Sequence, residues 1–376
     1  MRAIACLVAP ARGTWAAAWL LGCITLSASP AFADQQQLVF GPTVAWASTV
    51  DGDTRWLIRV QGRVFKPAEA SRKRQLAIDA LAIKVPANRR DPLYRARAAY
   101  FVSDSESNVR VAIAIGDAVR TLPPSDSAGC FSADIELSTD EATRLARDGR
   151  ITFEALPGPH RPAHVTGTAV RVAPEGVIVV TDVDDTIKHT DIPHPAEARA
   201  NTFVRPFEPV PDMPELYRSW QATGGERVHF HVVSAGPWQF HSPLQRFTVD
   251  AGFPAFTWNM RCVDVTNPFV LVEETLMADP ARLSRFKVET IRALMLRWPQ
   301  RRFVLVGDSG ERDPEAYAQV VAEFGDRVDA VYIRNVSGEG SGAQRYVDLF
   351  EPLSAMGRLQ VFERADALPR RLNLDR

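Results

Sequence analysis

The stretch TDVDDT places Asp182, Asp184 and Asp185 within four residues, directly after the apolar run Val177 to Val180. Like charges this close repel, and a buried carboxylate without a partner costs several kcal/mol or takes up a proton. A metal ion, a reaction or bulk solvent must therefore gather them. In an extended segment Asp182 and Asp184 point to one side and Asp185 to the other, which leaves Asp185 as the spare. Further along, VHFHVV ends at Ser234, SRFKVETI carries Lys287, and RFVLV runs into GDSGERD with Asp308 and Asp313. Phosphoryl transfer fits this set, because its catalysis is mostly positioning and charge stabilisation. A hard cation such as Mg²⁺ takes one or two carboxylates plus substrate phosphate and water. Asp182 and Asp308 can supply them with Asp313 nearby, Lys287 can balance phosphate charge, and the Ser234 hydroxyl can donate to a phosphate oxygen.

The elements that must position these residues read as a parallel α/β domain. Strands are expected at 177–182, 227–234, 255–262, 302–307 and 328–334, with helices near 212–222, 238–250, 284–297, 313–324 and 342–353. Such alternation implies a parallel sheet covered on both faces, with the ligand site beyond the carboxyl ends of its strands. Asp212 with Glu215 has the spacing of a capping box. From Val39 to Val172 the pattern is mostly β, and Val109, Val111, Ile113 and Ile115 alternate onto one face opposite Arg110. Strands are read in RWLIRVQGRVF, RAAYFVSD, CFSADIEL, ITFEAL and HVTGTAVRVA, interrupted by helices at 68–83 and after Ser138, where Glu141 completes a capping box. This half reads as a β-rich, sandwich-like domain without a catalytic signature.

Other chemistries are weaker. No calcium-loop pattern with Gly and a twelfth-position Glu follows Asp182, and no G-x-x-x-x-G-K phosphate loop surrounds Asp308. His229 and His231 share a strand face but lack a third clustered ligand for zinc, so they read as strand-face side chains. His189 and His194 fall in the loop after the first motif. Trp238, Phe240 and Trp258 read as core, with a greasy rim meeting lipid as the sharper alternative.

Hydrophobic residues make up 46% and charged residues 24% of the 376, a globular composition, and the formal net charge of −1 carries no footprint of nucleic-acid binding. Residues 1–33 combine Arg2 and Arg12, a short apolar run and an A-F-A site, the pattern of a secretory signal cleaved after Ala33. LLGC at Leu20 to Cys23 gives lipidation of Cys23 as second choice. Beyond the leader remain Cys130 and Cys262, read as two separate thiols because they fall in different domains. The expected division is a signal peptide at 1–33, the β-rich domain at 34–173, a catalytic domain at 174–363 and a solvated tail at 364–376.

D-x-D-x-T after an apolar strand, a strand-end Ser, a helical Lys and G-D-x-x-x-x-D resemble the haloacid dehalogenase superfamily in order and spacing. The wording DVDDTIKHTD, HVVSAGPWQF, VLVGDSGERDPEAYAQV and VYIRNV is similar to one branch, the actin-patch-associated phosphatidate phosphatase family and its bacterial relatives. The resemblance covers about residues 174–363 and implies a Rossmannoid α/β phosphatase domain. It also implies Asp182 as nucleophile and Mg²⁺ ligand, and Asp184 as general acid and base whose backbone carbonyl meets the metal. Thr186 would support the loop, Ser234 and Lys287 would hold the phosphoryl group, and Asp308 would bind the metal with Asp313 assisting. The reading is a secreted or periplasmic Mg²⁺-dependent phosphomonoesterase acting on phosphatidate or a related lipid phosphate, associating with a membrane surface and not with nucleic acid. A general periplasmic phosphatase for small organic phosphates, and a catalytically idle binding module, stand as alternatives.

Overall fold

The computed structural model describes residues 35–68, 71–85, 87–161, 164–264 and 279–374. The expected leader at 1–33, Cys23 included, lies outside the described residues. In the first half, nine strands form one sheet: β1 (Gln37–Phe40), β2 (Thr43–Val50), β3 (Asp53–Lys66), β4 (Asp104–Ser105), β5 (Ala112–Ile115), β6 (Ala118–Thr121), β7 (Cys130–Ser138), β8 (Arg150–Ala155) and β9 (Val165–Val172). Their order is β1-β3-β2-β9-β8-β5-β6, with β4 and β7 also paired to β3. The expectation of a sandwich is thus met in composition but not in connectivity. Strand β3, at 14 residues, is long enough to pair along both edges, with β2 and β1 on one and β7 and β4 on the other, so all nine strands join in one sheet. Inward-facing residues such as Ile58, Val60, Ile113, Ile151 and Phe153 share one core.

One stretch read as a strand is helical. RAAYFVSD belongs largely to a helix at Pro92–Phe101 (α2), which follows α1 (Arg72–Lys84). Asp91 caps it by accepting from the Tyr94 amide, Pro92 occupies the first turn, and Tyr94, Arg97, Ala98 and Phe101 are buried. That spacing is one helical face, whereas strand alternation would have exposed half of them. Helices α1 and α2 bury their inner faces with the second domain's residues rather than in the β-rich core. Helix α3 (Thr139–Leu145) opens with the expected Ser138–Glu141 capping box.

The second half is a six-stranded parallel sheet of order β12-β11-β10-β13-β14-β15. Its strands are β10 (Gly176–Thr181), β11 (Val228–Pro237), β12 (Phe256–Arg261), β13 (Arg301–Asp308), β14 (Val328–Arg334) and β15 (Leu359–Phe362). Val177 and Val179 pack on one face while Ile178 and Val180 pack on the other, so β10 is buried on both sides and its apolar run is explained. The chain winds outward through β11 and β12 and returns to β13 beside β10. This reversal opens a crevice at the carboxyl ends of β10 and β13, where ligands of open α/β sheets lie. The covering helices are α4 (Pro195–Phe203), α5 (Met213–Gly224), α6 (His241–Asp250), α7 (Pro280–Arg297), α8 (Asp313–Phe324) and α9 (Gln344–Phe350). Strand β15, only four residues long, and helix α4, with Phe203 its one large apolar side chain, carry too little periodicity to read from sequence.

Three further expectations change. Asp212 precedes α5 with φ of 63° and makes no side-chain cap bond, so the second capping box does not form. The segment after Glu363 is not a solvated tail: Ala365 and Leu368 are buried, and the Trp220 indole donates to the Pro369 carbonyl at 2.7 Å. Cys130 and Cys262 are not separate thiols but a disulfide, with sulfurs 2.09 Å and Cα atoms 6.2 Å apart. A sequence separation of 132 residues hides a closeness that only domain packing creates. The same contact brings the Gln61 side chain 2.6 Å from the Trp258 carbonyl and Trp238 against Gly41, where a Cβ would sit 2.4 Å from the indole. Trp238, Phe240 and Trp258 are all buried, as core rather than as an exposed rim, with Phe240 also lining a cavity.

Candidate active site

The extended backbone of β10 delivers Asp182 to the crevice, its amide donating to the Val306 carbonyl of β13 at 3.0 Å. Tyr217 donates to Thr181 Oγ1, which in turn donates to the Asp182 carbonyl. Asp308 ends β13, and Asp313 opens α8, where a negative charge is favoured by the helix dipole. Gly307 makes the approach of these two acids feasible, because a Cβ there would lie 2.3 Å from Asp313 Oδ2. Asp182, Asp308 and Asp313 are each 2% exposed or less, and each offers an oxygen within 4.8 Å of the others.

Lys287, from α7, reaches into this group. Its Nζ lies 3.1 Å from Asp182 Oδ1 and 3.0 Å from Glu311 Oε2, and also contacts Asp313 Oδ1. One ammonium thus faces several carboxyls. Burial pushes the Asp182 carboxyl well above its ordinary range, and Asp313, Glu311 and Asp184 add to this against the opposing pull of Lys287. Asp308 is raised in the same way, by burial first and then by Asp313, Glu311 and Asp182. For Lys287, burial disfavours the charge, yet Asp182, Asp313 and Glu311 outweigh it and hold the ammonium firmly protonated. The cluster is short of positive charge. Among the described residues Asp182 Oδ2 and Asp308 Oδ2 are buried with no hydrogen-bond partner, while Asp308 Oδ1 accepts from the Gly310 and Glu311 amides. Two orphaned hard oxygens beside a charge deficit suit a divalent cation.

Asp184 stands apart from this network. Its Oδ1 accepts from Lys188 Nζ at 2.9 Å and from Thr190 Oγ1 at 2.6 Å. Burial acts to raise this carboxyl, but Lys188 and Thr190 prevail and hold it below the ordinary value. Asp184 and Ser234 line one cavity of about 300 Å³ together with Lys188, Glu311 and the apolar side chains of Phe203, Phe207, Phe240, Leu244 and Met260. Ser234 Oγ accepts from the Gly236 amide. Ser234 and Asp184 therefore share a cavity wall, whereas Asp182, Lys287, Asp308 and Asp313 form the buried ionic group. Thr186 is fully buried at the turn and its hydroxyl has no partner among the described residues.

Asp185 lies beyond the end of β10 with a left-handed backbone, φ 52°, and its hydrogen bonds lead into the following loop, so it is not spare. Fully buried, it accepts from the amides of Thr190 at 2.9 Å, Asp191 at 2.8 Å and Ile192 at 2.6 Å. Arg334 donates to its carbonyl at 2.8 Å. It therefore organises the loop that presents Thr190 to Asp184. Sequence reasoning also passed over Lys188, Glu311 and Arg345. Lys188 follows Asp184 by four residues, a legible signal; Arg345, which holds the Ser309 and Glu311 carbonyls, is too distant in sequence to notice. His229 and His231 meet at Thr257 Oγ1, at 2.8 and 2.6 Å, and His231 also meets Asn259. They are strand-face side chains satisfied by their neighbours. His194 is an exposed loop residue paired with Asp191.

An open parallel α/β sheet with buried carboxylates and a lysine at its switch point defines the class of this domain. Residues 177–335 match the model of the phosphatidate phosphatase APP1 catalytic domain. The chain is 29% identical over 189 residues to the phosphatidate phosphatase APP1 of Saccharomyces cerevisiae, a match covering 48% of this chain and 29% of that one. It is 28% identical over 173 residues to an uncharacterised Schizosaccharomyces pombe protein, covering 44% and 26% respectively. The resemblance read from the motifs is thus borne out, and the match spans less than a third of the length of either relative. Among solved structures, a Parabacteroides merdae β-glucuronidase aligns over 86% of this chain and 46% of that one, with 9% identity and a TM-score of only 0.23.

Proposed function

We propose that this protein is a divalent-metal-dependent phosphatase of the haloacid dehalogenase type, acting on a lipid phosphate through a covalent phospho-enzyme at Asp182. The observation that carries it is the pair of orphaned buried oxygens, Asp182 Oδ2 and Asp308 Oδ2, beside Lys287 at the ends of adjacent strands. The similarity of this segment to the phosphatidate phosphatase APP1 catalytic domain supports it. Mg²⁺ held by Asp182, Asp308 and the Asp184 carbonyl, with Asp313 in support, would offset the negative charge of the reacting phosphate.

In this reading a carboxylate oxygen of Asp182 forms a bond to phosphorus as the ester P–O bond breaks. Asp184, once protonated, gives that proton to the leaving oxygen. Water then attacks phosphorus as the Asp182 O–P bond breaks, freeing inorganic phosphate and the Asp182 carboxylate, while Asp184 takes up the proton the water releases. Lys188 and Thr190 keep Asp184 ionised at rest; an incoming phosphate adds negative charge nearby and raises its proton affinity. Lys287 balances the phosphoryl charge and keeps the Asp182 carboxylate oriented. The Ser234 hydroxyl, whose oxygen already accepts from Gly236, donates to a phosphate oxygen. Phe203, Phe207, Phe240, Leu244 and Met260 give the leaving group an apolar wall, which favours an alkyl-bearing ester over a sugar phosphate. Secretion or a periplasmic home is part of the proposal, supported by the Cys130–Cys262 disulfide.

The test is release of inorganic phosphate from phosphatidate vesicles and from a soluble phosphomonoester, each with Mg²⁺ and with chelator. Metal-dependent hydrolysis favouring the vesicles is expected. Hydrolysis of the soluble ester alone, without activation by a lipid surface, would replace the lipid reading with the small-phosphate one. Loss of neither activity under chelation would remove the metal from the proposal, and full activity of Asp182→Ala would sink the mechanism.

A further inference from the structure

Charge is unevenly distributed along this chain. Between residues 71 and 102 there are eight Lys and Arg against two Asp, a net charge of +6, in a chain whose total is −1. That segment is the α1–α2 hairpin. Its inner faces are buried, with Ala77, Ile78, Leu81 and Ala82 of α1 in the core. Residues Arg72, Leu76 and Ile83 fall on the opposite side of the helix, flanked by Lys73 and Lys84. Leu76 is 59% and Ile83 70% exposed, two of only six large exposed hydrophobic side chains among the described residues. Arg72, Lys73 and Lys84, with Arg89 and Arg90 of the following turn, are exposed and form no ion pair with a described residue. Unpaired basic side chains around protruding aliphatic ones are complementary to an anionic lipid surface, where the charges meet headgroups and the aliphatic groups enter the acyl boundary. A nucleic acid would attract the same charges but offer nothing to Leu76 and Ile83.

The hairpin is also tied to the cavity. Phe101 of α2 packs 5.4 Å from Phe203 and 5.6 Å from Phe240, both cavity-wall rings. Arg97 donates to the Thr202 carbonyl at 3.0 Å and stands 3.6 Å over Phe207. A surface held by α1 is therefore one helix layer from the apolar wall beside Asp184.

We propose that the outer face of α1, centred on Leu76 and Ile83 and ringed by basic residues, docks the protein on an anionic bilayer. This deepens the lipid-phosphate reading above but does not depend on catalysis. The experiment is co-sedimentation of the purified protein with vesicles of phosphatidylcholine alone and of phosphatidylcholine with phosphatidylglycerol, at low and high salt. Binding to the anionic vesicles, weakened by salt, is expected. Each basic residue near the surface is worth about five-fold in affinity, so Lys73→Gln with Lys84→Gln should weaken binding roughly 25-fold. Leu76→Ser with Ile83→Ser should weaken it by about tenfold or more, with hydrolysis of a soluble phosphomonoester unchanged in both variants.

Equal binding to neutral and anionic vesicles would overturn the proposal, as would anionic binding that ignores all four substitutions. Salt-sensitive binding to a duplex DNA probe at equal strength, with no contribution from Leu76 and Ile83, would assign the face to polyanions instead. If the parent binds as described but hydrolyses neither ester, docking stands and the phosphatase reading falls.

Discussion

Replacing Asp185 by Asn separates what the strand pattern suggests from what the loop requires. Asn keeps the shape and tolerates the left-handed backbone, φ 52°, found there. It offers one acceptor oxygen where Asp185 uses two, for the Thr190 and Asp191 amides on Oδ1 and the Ile192 amide on Oδ2. Turned so that the first two bonds survive, it sets its own NH₂ against the Ile192 N–H. One charge-assisted bond is lost outright, at about 1.5–3 kcal/mol, and the remaining two become neutral and weaker. Asp185→Asn should therefore destabilise the protein by about 2–4 kcal/mol. Urea titration gives this directly from the midpoint and slope. Because the same loop carries Thr190 to Asp184, phosphate release should fall under conditions where the variant remains folded. A variant within about 0.5 kcal/mol of the parent, the range of ordinary surface changes, would refute this account.

Asp182→Asn should abolish hydrolysis, by roughly 10³-fold or more, without lowering stability, since it removes one of several crowded carboxyls; a marked fall in thermal midpoint would show that the Asp182–Lys287 pair supports the fold instead. Burial lowers the His231 pKa to about 4, so the unfolded chain takes up this proton near pH 6.5 while the folded chain does so only near 4. Its contribution is intact above pH 6.5 and is lost on acidification towards 4, by about 3 kcal/mol, so His231→Gln should flatten the stability–pH slope in that window; parallel slopes would contradict this. Reducing Cys130–Cys262 should cost about 2–5 kcal/mol of stability, read as a drop in unfolding midpoint with reductant that Cys130→Ser with Cys262→Ser reproduces; an unchanged midpoint on confirmed reduction would refute it.

The α/β half, and the gathering of Asp182, Asp308 and Asp313, were legible in the sequence because strand ends carry their chemistry locally. A both-sides-buried strand must be a continuous apolar run, and the polar residue that stops it marks the crevice, as at Asp182 and Asp308. Ser234 instead lies within β11, which runs on to Pro237 past a shift in register. What the sequence did not disclose depends on partners far along the chain. The strand-like look of RAAYFVSD yields to a helix because the second domain offers a surface for one helical face. The disulfide exists because two domains meet. Asp185 looked spare since alternation tells only which way a side chain points, not whether three amides wait there. Local pattern set the elements and the chemistry at their ends; burial, charge balance and the pairing of distant groups were decided only when the chain closed around them.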